Sequence, residues 1–135
     1  MKYNGVIENK LRLLENKLEE IYSWKIRKLQ DIENSSLIRN AVERALQVCI
    51  EIMIDVAERI IAIEGKTPAK NSAEAIQILE NIDAIEDSEI YKEMVRFRNF
   101  IVHRYEYISI EILFVIVTKK LDCFEKFIAE LRKYG

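Results

Sequence analysis

Three glycines and one proline leave this chain few places to turn. Gly stands only at positions 5, 65 and 135, and Pro only at 68. Tight reversals favour a residue that tolerates positive φ or arrives with φ already fixed, so the sequence reads as long helices with polar connectors. The apolar spacing agrees. Ile7, Leu11, Leu14, Leu18 and Ile21 recur three and four apart and predict a first helix from about Val6 to Leu29.

The polar cluster from Asp31 to Ser36 breaks that period and offers N-cap side chains. A second helix is expected from about Ser36 to Glu64, stopped by Gly65. Its polar residues Asn40, Arg44, Gln47, Glu51, Asp55 and Glu58 form one narrow stripe, and nearly everything else from Val48 to Ile63 is apolar. So wide an apolar surface exceeds what one small bundle needs to bury, and the excess reads as a face for a second copy.

After the Gly65–Lys70 connector, Asn71-Ser72-Ala73-Glu74 has capping-box spacing and opens a short helix to about Leu79. Asp87-Ser88 caps the next helix, with Ile90, Met94, Phe97 and Ile101 as its expected core stripe. Ser109 is the expected cap of the last, whose stripe runs through Ile110, Leu113, Val117, Leu121, Phe124, Ile128 and Leu131. No period-2 segment or repeat occurs. The expected fold is all-α: an up-and-down four-helix bundle with one additional short helix, homodimeric, in one domain spanning residues 1–135.

Charge excludes some functions. Lys and Arg number 21 against 23 Asp and Glu, so the chain is no nucleic-acid-binding polycation. Locally the balance reverses: from Tyr91 to Tyr105 the cations Lys92, Arg96, Arg98 and Arg104 face only Glu93, a net of +3 in a chain of net −2. That patch suits local phosphate contact better than long-range steering. Cys49 and Cys123 sit in apolar runs without ligand spacing and read as reduced, buried thiols. The N-terminal residues lack an apolar signal segment, and no apolar run is long enough to cross a bilayer, so no membrane partner and a cytoplasmic location are expected.

The lone histidine lies in Arg98-Asn99-Phe100-Ile101-Val102-His103-Arg104-Tyr105. This octet sets a phosphate-binding cation, an amide, a near-neutral acid/base and a phenol within two helical turns. Lys92, Arg96, Asn99 and His103 share one face at spacings of four, three and four. Arg98 and His103 are five apart, about 140° around a regular helix. Either the helix distorts near His103, or a second copy completes the site. No Glu-x-x-His element supports a di-iron site, one histidine cannot build a usual zinc site, and no Gly-rich phosphate loop occurs. No metal and no cofactor are expected.

The order Arg-x4-His, with Asn after the Arg, resembles the defining motif of the HEPN superfamily of helical bundles. The longer form Arg98-x4-His103-x-Tyr105 resembles its HepT branch, the toxins of MNT/HepT toxin–antitoxin pairs. Ala41-Val42-Glu43-Arg44-Ala45-Leu46-Gln47 through Asp55, the Gly/Pro connector, and Arg98-Asn99 through Tyr105 follow the family's order, over about residues 35 to 130. Asp55 recurs in that pattern, but with Arg59 it also makes an ordinary i,i+4 pair and is left outside the site.

The resemblance implies a metal-independent endoribonuclease toxin of a type VII-like system, acting on an RNA substrate. Its active site would be composite, at a homodimer interface. Transesterification by the RNA's own 2′-hydroxyl, leaving a 2′,3′-cyclic phosphate, needs a base, an acid and positive charge on the phosphoryl oxygens. Histidine can act as acid or base near neutrality, and arginine offers a charged fork matched to phosphate. Arg98 and His103 are thus the expected catalytic residues, with Asn99 supporting them. The resemblance further implies that Tyr105 accepts AMP from a cognate MNT-type nucleotidyltransferase antitoxin, which silences the toxin. Tyr107 lies outside the motif and takes no role. The alternative is a non-catalytic HEPN module that binds nucleotide or RNA, or serves as the partner subunit of a nucleotidyltransferase.

Overall fold

The computed structural model describes residues 5–103 and 109–135, with the side chains of Val102 and His103 outside the description. Helix α1 spans Gly5–Ser23, α2 Gln30–Glu33, α3 Ser36–Ile63, α4 Ser72–Asn81 and α5 Glu89–His103. Helix α6, Ile110–Val115, runs into a π turn at Ile116–Lys120 and then into α7, Asp122–Tyr134. The described residues contain no strand. The architecture is the expected helical bundle of four long rods plus the short α4, with the single-turn α2 as an addition.

Local chemistry sets most boundaries. Ser35 Oγ accepts from Ile38 N at 3.2 Å and Asn71 Oδ1 from Glu74 N at 2.8 Å, so both act as N-caps. Gly65 at φ +70° ends α3 in the left-handed conformation glycine tolerates. Asp87 Oδ1 accepts from Glu89 N at 2.9 Å at the start of α5. Ser109 departs from expectation: it stands before α6, yet its hydroxyl goes to Glu111 Oε2 at 2.7 Å and caps no backbone N–H.

Helix α1 ends six residues short of the expected Leu29. Lys25 takes φ +52°, and Asp31 Oδ2 accepts from the N–H groups of Arg27 and Lys28 at 2.9 and 3.0 Å. Those donors are lost to a continuing helix, so residues 24–29 form a loop.

Helix α3 is the axis of the molecule. Twelve of its 28 residues are buried, and they point to all sides because α3 packs against α1, α2, α4, α5, α6 and α7. That corrects the surplus apolar face. Ile52, Ile54 and Ile61, which one-sided packing would leave bare, are at most 7% exposed inside the chain itself. Its exposed large apolar residues are Leu37 and Ile63, at its two ends. Asp55 meets Arg59 at 3.2 Å and Lys10 at 3.0 Å, the structural pairing expected of it.

Connectivity places the elements that matter at one end of the bundle. Helices α1 and α5 run parallel, and α7 runs against both: Glu15 and Tyr22 of α1 meet Arg132 and Glu125, while Tyr91 and Glu93 of α5 meet Glu130 and Lys120. The C-terminal end of α5, the N-terminal end of α3, the 24–29 loop, α2 and α6 therefore gather together.

Candidate active site

Helix α5 presents a different face to the core from the one periodicity favoured. Tyr91, Met94 and Val95 are buried, whereas Ile90, Phe97 and Ile101 are half-buried at the edge. Because helical side chains lean toward the N-terminus, the covered stripe runs Tyr91, Val95, Arg98. Arg98 thus follows two core residues on the inner side of the helix, where a cation is costly.

Its guanidinium is only partly answered. Nη1 donates to Asn99 Oδ1 at 3.0 Å, and Nε is buried with no hydrogen-bond partner among the described residues. A buried N–H without an acceptor carries a desolvation cost of about 1–3 kcal/mol, so such a group usually marks a site that something else completes. An anionic oxygen would satisfy it, and phosphate matches the guanidinium's planar fork. Asn99, half-buried beside it, holds the fork in place.

The backbone of α5 stays α-helical through His103, so no distortion within the helix brings His103 round toward Arg98. The five-residue separation keeps its regular value of about 140°. Tyr105, Arg104 and Tyr107 lie outside the described residues, as does the His103 side chain.

The expected cationic patch divides. Lys92 is committed to Gln77 and lies 3.7 Å from Glu89. Arg96 is exposed and makes no ion pair among the described residues, and Arg98 turns inward. Beside them, an apolar groove of about 390 Å³ runs between α5 and α6, lined by Met94, Phe97, Ile112, Val115 and Ile116. Of these, Ile112 and Val115 are 49% and 39% exposed, and Phe100 on the same helix as Phe97 is 37% exposed. Among the described residues this is one exposed apolar region beside the motif helix, whereas the middle of α3 offers none.

Sequence reasoning missed one cationic feature. Lys25, Arg27 and Lys28 vanish into a helix if α1 is carried to Leu29, and only the loop exposes all three together. Asp31, set to catch the loop's N–H groups, was the available signal.

Cys49 is fully buried and Cys123 half-buried, both free, and burial pushes each thiol up to about 12. No group of three or more potential metal ligands occurs among the described residues.

Residues 7–131 match the family described as ribonuclease HepT-like. The chain belongs to the HepT-like family. It is 27% identical over 130 residues to the mRNA nuclease HepT of Shewanella oneidensis, covering 93% of this chain and 95% of that one. The structure of a tri-AMPylated HEPN toxin from the same species, in complex with MNT antitoxin, superposes with a TM-score of 0.88 at 26% identity, over 97% of this chain and 99% of that one. The cytosolic protein YutE of Bacillus subtilis shares the fold alone, with a TM-score of 0.80 at 18% identity over 95% and 87% of the two chains. HepT-like membership and the all-helical HEPN fold thus agree with the motif reading. No described helix is long and apolar enough to cross a membrane.

Proposed function

We propose that this chain is a toxin of a toxin–antitoxin pair that cleaves RNA without a metal ion, as one HepT-like domain over residues 1–135. The observation that carries the reading is the Arg98 guanidinium, half-buried on the inner stripe of α5, oriented by Asn99 and left with an unanswered Nε. In this reading Arg98 binds the scissile phosphate and stabilises the charge that grows on its oxygens. His103 relays the proton from the 2′-hydroxyl toward the departing 5′-oxygen, which leaves a cyclic phosphate and a free 5′-hydroxyl.

The regular helix supports a composite site. With Arg98 and His103 diverging by about 140°, a second protomer supplies the missing half. The apolar groove between α5 and α6 supports that assembly, because it borders the motif helix and is otherwise open to water. The complex of a related toxin with MNT antitoxin supports a nucleotidyltransferase as the partner of this chain. Tyr105 is the proposed AMP acceptor: AMP attached beside His103 would place phosphate charge against Arg98 and compete with RNA.

The test is cleavage of mixed RNAs by the purified protein in EDTA. Wild type is expected to yield cyclic-phosphate ends, and His103→Ala to lose about a thousandfold in rate while melting as wild type does. Equal inertness of both proteins toward diverse RNAs would leave the binding-module alternative. With a cognate nucleotidyltransferase and ATP, AMP mass should appear on the peptide carrying Tyr105; label persisting in Tyr105→Phe removes that assignment.

A further inference from the structure

A second groove opens at the same end of the bundle, on the other side of the π turn from α5. It encloses about 420 Å³ between the end of α1 with its following loop and the π turn itself. Tyr22, Lys25 and Arg27 line one wall, Val117 and Thr118 the other. The π turn shows Ile116 and Lys120 to the α5 side and Val117 and Thr118 to this one. The π turn therefore stands between this groove and the α5–α6 groove.

Three features make this wall more than a solvated loop. Lys25, Arg27 and Lys28 are exposed and take part in no ion pair among the described residues. The nearest anion of the loop, Asp31, spends one oxygen on the backbone N–H groups of Arg27 and Lys28, which hold its carboxyl below the usual range. Asp31 attracts Arg27 and Lys28 without forming an ion pair with either, so the three exposed side chains remain able to meet an anion from outside. Second, the Tyr22 ring is 47% exposed, while its hydroxyl donates to Glu125 Oε1 at 3.0 Å. Glu125 and Asp122 lie on the α7 side of the ring, and Lys25 and Arg27 share its groove. An exposed aromatic face in a cationic groove is a surface on which single-stranded bases stack. Third, the far wall is a π turn, an irregularity that recurs at functional sites.

We propose that this groove docks single-stranded RNA outside the cleavage centre, with a base stacked on Tyr22 and the flanking phosphates on Lys25 and Arg27. The assignment rests on the ribonuclease reading for its biological purpose. The cations of this groove would give a chain of net −2 a local surface for a polyanion, at the end of the bundle where the motif helix also ends. Strand continuity between groove and motif fixes the register of cleavage, so contacts here select which phosphate reaches Arg98.

The test titrates a fluorescein-labelled oligouridylate into the full-length protein carrying His103→Ala, which prevents turnover during binding. Adding Lys25→Ala with Arg27→Ala should weaken affinity about tenfold and lower the slope of log affinity against log salt by about 1.4, roughly 0.7 per phosphate contact. Tyr22→Ala should weaken affinity about fivefold with the slope kept, while Tyr22→Phe, which keeps the ring, should bind as the parent does. In proteins retaining His103, cleavage of a dinucleotide should be unchanged by all these variants. If the double variant matches its parent in affinity and slope while wild type still cleaves RNA, the groove is not an RNA site and the nuclease reading survives. If wild type binds RNA without cleaving it and the variants bind less, the nuclease reading falls and the groove stands. Absence of any RNA binding overturns both. Unchanged RNA affinity with lost capture of the nucleotidyltransferase makes this a protein-docking surface and overturns the proposal.

Discussion

The two halves of α5 treat their polar groups in opposite ways. In the first half, the buried Tyr91 hydroxyl donates to Glu130, whose other oxygen accepts from Glu86 N at 2.7 Å. Ser88 N donates to Glu80 Oε1 at 2.8 Å, and Lys92 reaches Gln77. The Tyr91 ring meets Phe127 edge-on with centroids 5.2 Å apart, and burial followed by the Glu130 bond raises its phenol far above the ordinary value. Each of these groups is answered from α4 or α7. In the second half, Arg98 sits on the same inner stripe with Nε unanswered. Satisfied buried polar groups hold a fold together, whereas an unsatisfied one on the same helix face is kept for something that arrives later.

Substitutions should separate the halves. The largest expected effect is on Arg98→Ala: about a hundredfold to a thousandfold loss of RNA cleavage in single-turnover assays, with the melting temperature unchanged or raised. A rise is reasonable because the substitution removes a buried N–H that has no acceptor. Mixing Arg98→Ala protomers with His103→Ala protomers sharpens the point. If each site takes Arg98 from one protomer and His103 from the other, re-equilibrated mixtures should recover about a quarter of wild-type activity. Mixtures that stay dead would place both residues within one protomer's site.

Tyr91→Phe should give the opposite signature. It leaves the Glu130 oxygen without its donor, at a cost of about 1–3 kcal/mol, or on the order of 5 °C in melting temperature. Cleavage at a temperature where the variant remains folded should match wild type. A Tyr91→Phe protein that melts normally but cleaves poorly would erase the distinction between the halves. The smallest effect is expected for Lys92→Ala. Its ammonium is already engaged by Gln77 and Glu89, so RNA affinity should change less than about twofold and stability by no more than about 1 kcal/mol. A larger loss of RNA binding would return Lys92 to the phosphate-contacting group that its position in the sequence suggests.

How far the sequence could be read depended on the range of the forces involved. Ser35, Asn71 and Gly65 were legible as boundaries because capping and positive φ are settled within a few residues. The helical bundle was legible because apolar spacing of three and four leaves no other way to bury Ile7 to Ile21 or Leu113 to Leu131. The octet from Arg98 to Tyr105 was legible as a chemical motif, and the HepT-like family followed from it.

Other features were decided by packing between distant segments. Six neighbouring elements consume the apolar surface of α3, so an excess visible along the chain is no excess in three dimensions. A shift of about one residue in the buried stripe of α5, set by where α3 and α4 lie, puts Arg98 in line with Tyr91 and Val95. Residues 24–29 have helical propensity, but Asp31 and the turn at Lys25 outweigh it and put three cations on a loop. The sequence by itself thus determined the helices, most of their caps and the motif that marks the candidate site, the first two as consequences of local bonding and periodicity. Only the tertiary structure decided which of those groups are answered and which are left open, because partners for a buried N–H come from other elements of the fold.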